Sequence, residues 1–250
     1  IRDRPITRFI WDSLPIQGFF DRNDDYPKVI DYACGSGHFL TEAVEAINAH
    51  KPSDNNDWTA QSIFGIEKDY RLARVSKVSM FMNGAGKSNI VFGDGLDNHE
   101  HISNEQFDIL VANPPYSVKK FKSHLGLKNN DFALLDHISN DSGEIEVLFC
   151  ERIKQLLKSE AIAAVILPSS ILSNDSTSYT SARTLLLQHF YFRAIVNLGS
   201  KTFGATGTNT VILFLEKFKY PPTRLGQAKD TATAIFTNND LTAWGDSVIY

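Results

Sequence analysis

Two stretches of this chain carry residue types that could do chemistry, and each sits where a strand runs out. The first is Val111-Ala112-Asn113-Pro114-Pro115-Tyr116. Consecutive prolines cannot donate to a sheet ladder and they oppose any turn into a helix, so the chain must leave its strand extended. That presents the Asn113 amide, rigid carbonyls and the Tyr116 ring at a strand's carboxyl end, where open α/β sheets bind ligands. Together these groups could hold a planar base by its amino group. The second stretch is Asp31-Tyr32-Ala33-Cys34-Gly35-Ser36-Gly37, between a strand and a helix. Glycines there let the backbone approach a ligand closely, and the helix N-terminus favours negative charge.

The kind of ligand is limited by what the glycine turn lacks. A dinucleotide fingerprint wants a third glycine, where this chain has Leu40, and an acid about twenty residues on; the next strand-end acid is Glu67, much further along. No Gly-Lys-Ser/Thr follows, so the turn is not a P-loop. A nucleoside lying across the strand ends fits better. Glu67 ends a second strand, where a carboxylate can accept from two ribose hydroxyls, and Asp94 ends a third, where it can accept from an adenine amino group. Either acid alone reads more readily as a solvated loop carboxylate. Three acids at successive strand ends after a Gly-x-Gly turn favour the ligand.

The elements that must position these groups are legible from period. Apolar runs alternate with helical stripes, which argues for a mostly parallel sheet covered by helices on both faces. Strands are expected at Val29 to Ala33, Ile63 to Glu67, Ile90 to Asp94, Phe107 to Ala112, Ala161 to Leu167 (closed by Pro168), Phe192 to Asn197 and Thr210 to Leu215. A short helix is expected over Pro5 to Trp11, another with Phe39, Ala43 and Ile47 on one stripe, and one capped by Asp69 that runs to about Asn83 and ends at Gly84 and Gly86. Between Ser117 and Asn140 lies a long loop with lysines in its first half, and Asp141 with Glu144 makes a capping-box pattern before a helix that turns Phe149, Ile153, Leu156 and Leu157 inward. A last helix spans Ala182 to His189. Beyond Pro221-Pro222 the composition turns polar, with one more edge strand expected at Thr231 to Thr237, so a boundary falls near Tyr220.

The totals narrow the class. With 250 residues, 42% hydrophobic and 22% charged, the composition is that of an ordinary globular domain. No apolar run is long enough to span a bilayer and no signal peptide opens the chain. Two cysteines do not make a disulfide scaffold, so a reduced, cytoplasmic setting is expected. The start at Ile1 and the apolar end at Tyr250 read as a piece of something longer. A net charge of −4 lacks the basic excess of a free-standing nucleic-acid binder. Seven histidines show no ligand spacing, and no metal is expected.

These residues resemble a family. Asp31-Tyr32-Ala33-Cys34-Gly35-Ser36-Gly37-His38-Phe39-Leu40 is similar to the Asp-Pro-Ala-Cys-Gly-Ser-Gly motif of bacterial N6-adenine DNA methyltransferases, and Asn113-Pro114-Pro115-Tyr116 resembles their catalytic tetrapeptide. The likeness is to modification subunits of type I restriction–modification systems and to methylase domains of fused, type IIG-like enzymes. Ile162 to Pro168, Lys201 to Thr210 and Pro5 to Ile10 resemble the same group, so the likeness covers roughly Pro5 to Lys217. Tyr32 departs from the family's proline, which removes no ligand group, and no target-recognition domain lies in the chain.

The resemblance implies a class I methyltransferase fold using S-adenosylmethionine, with seven strands, the last antiparallel between the fifth and sixth. Residues 1–220 would be the catalytic domain and 221–250 an extension or the start of a further domain. Asp31, Ala33, Gly35 and Gly37 would line the methionine end of the cofactor, Glu67 would hold the ribose and Asp94 the adenine. Asn113, Pro114 and Tyr116 would hold a flipped-out adenine, with Phe203 on the opposite face and Lys119 and Lys120 near the DNA phosphates. Phe203 could equally be a core aromatic, and the lysines a solvated loop. Partners would be DNA, a specificity subunit or domain and a restriction subunit, in a bacterial cytoplasm. Methylation at carbon 5 of cytosine is excluded, because it needs a Pro-Cys nucleophile and Cys34 and Cys150 follow Ala33 and Phe149. A protein glutamine, an RNA base, cytosine N4, or a non-catalytic binding module remain as alternatives.

Overall fold

In the computed structural model the described residues are 4–22, 24–119, 121–124, 131–198, 202 and 208–220. Seven strands run in the order β3 (Asn89–Phe92), β2 (Ile63–Glu67), β1 (Val29–Asp31), β4 (Phe107–Ala112), β5 (Leu157–Pro168), β7 (Thr210–Lys217) and β6 (Phe190–Leu198). The chain divides into two units, Ile1–Asn113 and Pro114–Tyr250.

The first unit holds β1 (Val29–Asp31), β2 (Ile63–Glu67), β3 (Asn89–Phe92) and β4 (Phe107–Ala112), all paired in parallel, with Ile30 opposite both Phe64 and Leu110. Its helices are α1 (Arg4–Ser13), α2 (Ile16–Phe20), α3 (His38–His50), α4 (Thr59–Ser62) and α5 (Tyr70–Met82). Strands buried on both faces need continuous apolar runs, and Val29, Ile30, Ile63, Ile66, Leu110 and Val111 are all buried. The expected stripe of α3 is buried too: Phe39, Leu40, Ala43, Val44 and Ile47, with each large apolar side chain contributing roughly 1.5–3 kcal/mol. Asp69 caps α5 by accepting from the N–H groups of Arg71 (2.8 Å) and Leu72 (3.1 Å). Gly84 ends α5 at φ +73°, and its N–H and that of Ala85 reach back to the Phe81 and Met80 carbonyls, satisfying carbonyls that the helix itself leaves open.

The second unit holds β5 (Leu157–Pro168), β6 (Phe190–Leu198) and β7 (Thr210–Lys217), and the helices α6 (Glu146–Leu156), α7 (Ser170–Ser173) and α8 (Thr177–His189). Strand β7 is antiparallel to both neighbours, with Leu213 opposite Val165 on one side and Ile195 on the other. This is the arrangement implied by the family resemblance.

Three expectations are corrected. The capping box is absent: the residue before α6 is Ile145, with no side-chain cap, and Glu144 instead accepts from the Ser176 and Ser178 hydroxyls, partners that sequence spacing cannot reveal. Leu157 is buried as expected but opens β5 instead of belonging to α6, and Lys217 of β7 donates its ammonium to the carbonyls of Lys154 and Leu157 at that junction. The long loop contains two 3-10 turns, Phe121–His124 and Ala133–His137; the second is held by Glu151, which accepts from the Ala133 and Leu134 N–H groups. The expected strand at Thr231 to Thr237, and the whole extension 221–250, lie outside the described residues.

Candidate active site

The first unit holds the six expected cofactor residues: Asp31 ends β1 with Ala33, Gly35 and Gly37 in the turn after it, Glu67 ends β2, and Asp94 lies two residues beyond β3, which ends at Phe92 and not at Asp94 as expected. Asp31 is 1% exposed. Its Oδ1 accepts from the Ala33 N–H at 3.0 Å, while Oδ2 is buried with no hydrogen-bond partner among the described residues. Burial pushes its carboxyl up to about 8, opposed by the Ala33 N–H and reinforced by the negative charge of Glu67. The turn that follows is closed by Gly37 N–H on the Cys34 carbonyl (2.7 Å) and tied to the sheet by Cys34 N–H on the Ile66 carbonyl (2.9 Å).

The two glycines are required for different reasons. Gly35 adopts φ +53°, and a Cβ there would meet nothing within 4 Å, so the backbone conformation selects glycine and leaves that side of the turn open. Gly37 adopts φ +85°, and its Cβ would lie 2.6 Å from Ser76 Oγ on α5, so Ser76 would also have to shift to admit a side chain. Gly37 is also the residue before α3, whose first N–H groups have no side-chain cap. Cys34 is buried within 3.8 Å of Ser76 Oγ, and burial raises its thiol well above the ordinary range, which makes it a packing residue and not a nucleophile.

Glu67 is the centre of this cradle. One carboxylate oxygen accepts from the Gly35 N–H at 2.8 Å and the other from the Asp69 N–H at 2.7 Å. It therefore fixes the glycine turn and the entry to α5 at once, and each oxygen keeps a further lone pair for a hydroxyl. Asp94 accepts from the Leu96 N–H at 3.1 Å and pairs with the Lys68 ammonium at 2.6 Å. Lys68 is largely exposed, and such a pair is worth only about 0–1 kcal/mol, so it yields readily to another donor.

A polar cavity of about 250 Å³ lies beside the start of α3, lined by Arg4, Thr7, His38, Thr41, Glu42, Glu45, Ser79 and Asn83. None of the sequence-expected site residues lines it. The signal that could have found the cavity is the resemblance at Pro5 to Ile10. Helix α1 is seated there by Trp11 Nε1–H on the Phe39 carbonyl (2.9 Å) and by Arg4 and Arg8 on the buried Glu42.

Asn113 is half-buried and follows β4 directly, as expected; its Oδ1 is buried and has no partner among the described residues. A buried acceptor left unpaired costs about 1–3 kcal/mol, a cost that an incoming donor would relieve. In the second unit Pro114 is buried, Pro115 exposed and Tyr116 half-buried. Burial, and then the negative charge of Glu146, raise the Tyr116 hydroxyl above its usual value, so it stays protonated at neutral pH and offers a ring face instead of a base. Lys119 is exposed, and Lys122 donates to the Ile138 carbonyl; Lys120 and Phe203 lie outside the described residues. Among the described residues no group of three or more His, Cys, Asp or Glu side chains could hold a metal, and no helix is long and apolar enough to cross a membrane.

The family model for N-6 DNA methylases matches residues 4–239. The chain belongs to this family. Among curated relatives, it is 28% identical over 219 residues to the type I restriction enzyme EcoEI methylase subunit of Escherichia coli, covering 86% of this chain and 41% of that protein. It is 25% identical over 197 residues to the type II restriction enzyme and methyltransferase RM.BcgI of Heyndrickxia coagulans, covering 77% of this chain and 28% of that protein. The chain thus spans well under half the length of these relatives. In fold it matches the solved structure of the type I restriction enzyme EcoKI M protein with a TM-score of 0.66 at 19% identity, over 86% of this chain and 43% of that one. The fold is that of the class I S-adenosylmethionine-dependent methyltransferases.

The residues present fit such a cofactor. An orphaned carboxylate oxygen on Asp31 and open space over Gly35 suit a ligand that carries positive charge, and Glu67 and Asp94 have acceptor capacity for a nucleoside.

Proposed function

We propose that the full-length protein transfers the methyl group of S-adenosylmethionine to the exocyclic N6 of an adenine flipped out of DNA, as the methylating part of a restriction–modification system. The observation that carries this reading is the buried, unpartnered Asn113 Oδ1 at the head of Asn-Pro-Pro-Tyr in a chain of the N-6 DNA methylase family. Asp31, Ala33, Gly35 and Gly37 would hold the methionine end of the cofactor, Glu67 the ribose and Asp94 the adenine. The cofactor supplies an electrophilic methyl on a sulfonium leaving group.

The adenine amino nitrogen is a poor nucleophile, because its lone pair is delocalised into the ring. Asn113 Oδ1 and the Pro114 carbonyl would accept from its two N–H groups and favour a more tetrahedral nitrogen. The lone pair then points out of the ring plane toward the methyl, and the same acceptors stabilise the positive charge that develops there. Their contribution is positioning and preorganised electrostatics. Extruding a base means unstacking it, and Tyr116 would replace the lost stacking with its ring. Lys119, Lys120 and Phe203 would add contacts to phosphate and to the second face of the base.

The chain's charge of −4 supports a division of labour in which a specificity subunit or domain selects the DNA, alongside a restriction subunit, in a bacterial cytoplasm. The test is tritiated-methyl transfer from S-adenosylmethionine by the full-length protein with its DNA-recognising subunit or domain, offered unmethylated DNA, RNA and protein separately. Label in DNA alone is expected. Label only in protein or RNA overturns the assignment, and so does tight cofactor binding without label in any acceptor.

A further inference from the structure

Glu146 is a charged residue with no exposed surface, and nothing in the chemistry above uses it. It is the first residue of α6, where a carboxylate is favoured by the helix dipole, but both of its oxygens are committed elsewhere. Oε2 accepts from the Ser117 N–H at 3.1 Å. Oε1 accepts from the Tyr179 hydroxyl of α8 at 2.5 Å, and that hydroxyl accepts in turn from Ser170 Oγ of α7 at 3.2 Å. Next to it, Glu144 takes the hydroxyls of Ser176 and Ser178 and ties the start of α8 to the same place.

The Ser117 N–H belongs to the peptide unit whose carbonyl is that of Tyr116, so a grip on it fixes the plane directly after the tetrapeptide. The grip is needed because Ser117 adopts φ +58°, a left-handed conformation that costs a residue with a side chain about 1–2 kcal/mol. The two preceding prolines have fixed φ, which leaves the Tyr116–Ser117 linkage as the soft joint of this segment. Breaking a hydrogen bond to a buried carboxylate frees that joint and leaves the charge uncompensated.

We propose that Glu146 is a positioning residue: backed by Tyr179, it locks the Tyr116–Ser117 peptide so that the Pro114 carbonyl and the Tyr116 ring are set before a base arrives. Its effect on turnover rests on the methyl-transfer reading above; its effect on the backbone does not.

The test uses the full-length protein and three variants, Glu146→Ala, Glu146→Gln and Tyr179→Phe. An amide can accept from Ser117 with its oxygen and donate to the Tyr179 hydroxyl, so Glu146→Gln preserves the lock. Glu146→Ala is expected to lower kcat for methyl transfer into unmethylated DNA about tenfold to hundredfold, with the S-adenosylmethionine dissociation constant unchanged. Glu146→Gln is expected to restore most of that loss. Hydrogen exchange of the Ser117 and Val118 amides should rise in Glu146→Ala while the strands of the first unit keep their protection. Unchanged exchange at Ser117, or a parallel loss of cofactor affinity, overturns the proposal, as does glutamine acting no better than alanine. If Glu146→Ala does not fold, Tyr179→Phe, which keeps the ring, decides: faster exchange at Ser117 is expected and unchanged exchange contradicts. Failure of the wild type to label DNA would sink the methyl-transfer reading and leave the exchange result standing or falling by itself.

Discussion

Asn113 Oδ1 and Asp31 Oδ2 are among the buried side-chain oxygens of the first unit that have no hydrogen-bond partner among the described residues. Asn113 was legible in the sequence because prolines after an apolar strand leave few conformations open. The protonation state of Asp31 was not, since it depends on burial and on Glu67, which comes 36 residues later. With its carboxyl pushed up to about 8 by burial, Asp31 keeps a proton at neutral pH in the ligand-free fold, whereas the unfolded chain releases it near 3.8. A raised acid contributes stability that is present at low pH and lost as pH rises toward about 8. A cation bound beside Asp31 favours the ionised form and reverses that balance. Binding of S-adenosylmethionine at pH 7 is therefore expected to release a proton, and its affinity to rise with pH up to about 8. Calorimetry in two buffers of different ionisation enthalpy measures the release. Asp31→Asn should abolish it, and equal heats in the two buffers with the wild type would remove Asp31 from the cofactor site.

At the scale of elements, one side chain joins the glycine turn to the next helix. Glu67 bonds the N–H groups of Gly35 and Asp69, so the turn after β1 and the start of α5 share one carboxylate. Glu67→Ala is expected to weaken S-adenosylmethionine binding roughly tenfold to hundredfold, the loss of charge-assisted hydrogen bonds worth about 1.5–3 kcal/mol, while Glu67→Gln weakens it less. Calorimetry reads both, and unchanged affinity in the alanine variant would place the ribose elsewhere. The long elements were readable because burial imposes a period: the stripe of α3 and the apolar runs of the strands need no tertiary information. Helices of four or five residues, such as Thr59–Ser62 and Ser170–Ser173, are too short to show one. The false capping box has the same origin, since Glu144 answers to two serines more than thirty residues away. Glu146 was illegible for a related reason: an acid at a helix start looks like an ordinary match to the dipole until its two partners are seen.

For the whole molecule, the place of the antiparallel β7 between β5 and β6 followed from motif resemblance, whereas the order of the other strands did not, because periodicity gives strands but not their order in a sheet. Residue types pointed to Asp31, the glycines and Glu67, but neither the bonds of Glu67 to the Gly35 and Asp69 N–H groups nor the polar cavity beside α3 could be read from them, since both depend on how the elements pack. The charge of −4 provides no general attraction for phosphate, so affinity for DNA has to come from local contacts or from a partner. The most direct test of the central claim is the product itself. DNA methylated by the full-length protein with its DNA-recognising partner is digested to nucleosides and separated, beside the same reaction with Asn113→Ala. The wild type should yield N6-methyldeoxyadenosine, and Asn113→Ala should lose about a hundredfold or more of that yield while binding S-adenosylmethionine as the wild type does. A product methylated on cytosine, or an Asn113→Ala variant that still makes N6-methyldeoxyadenosine at the wild-type rate, would contradict it.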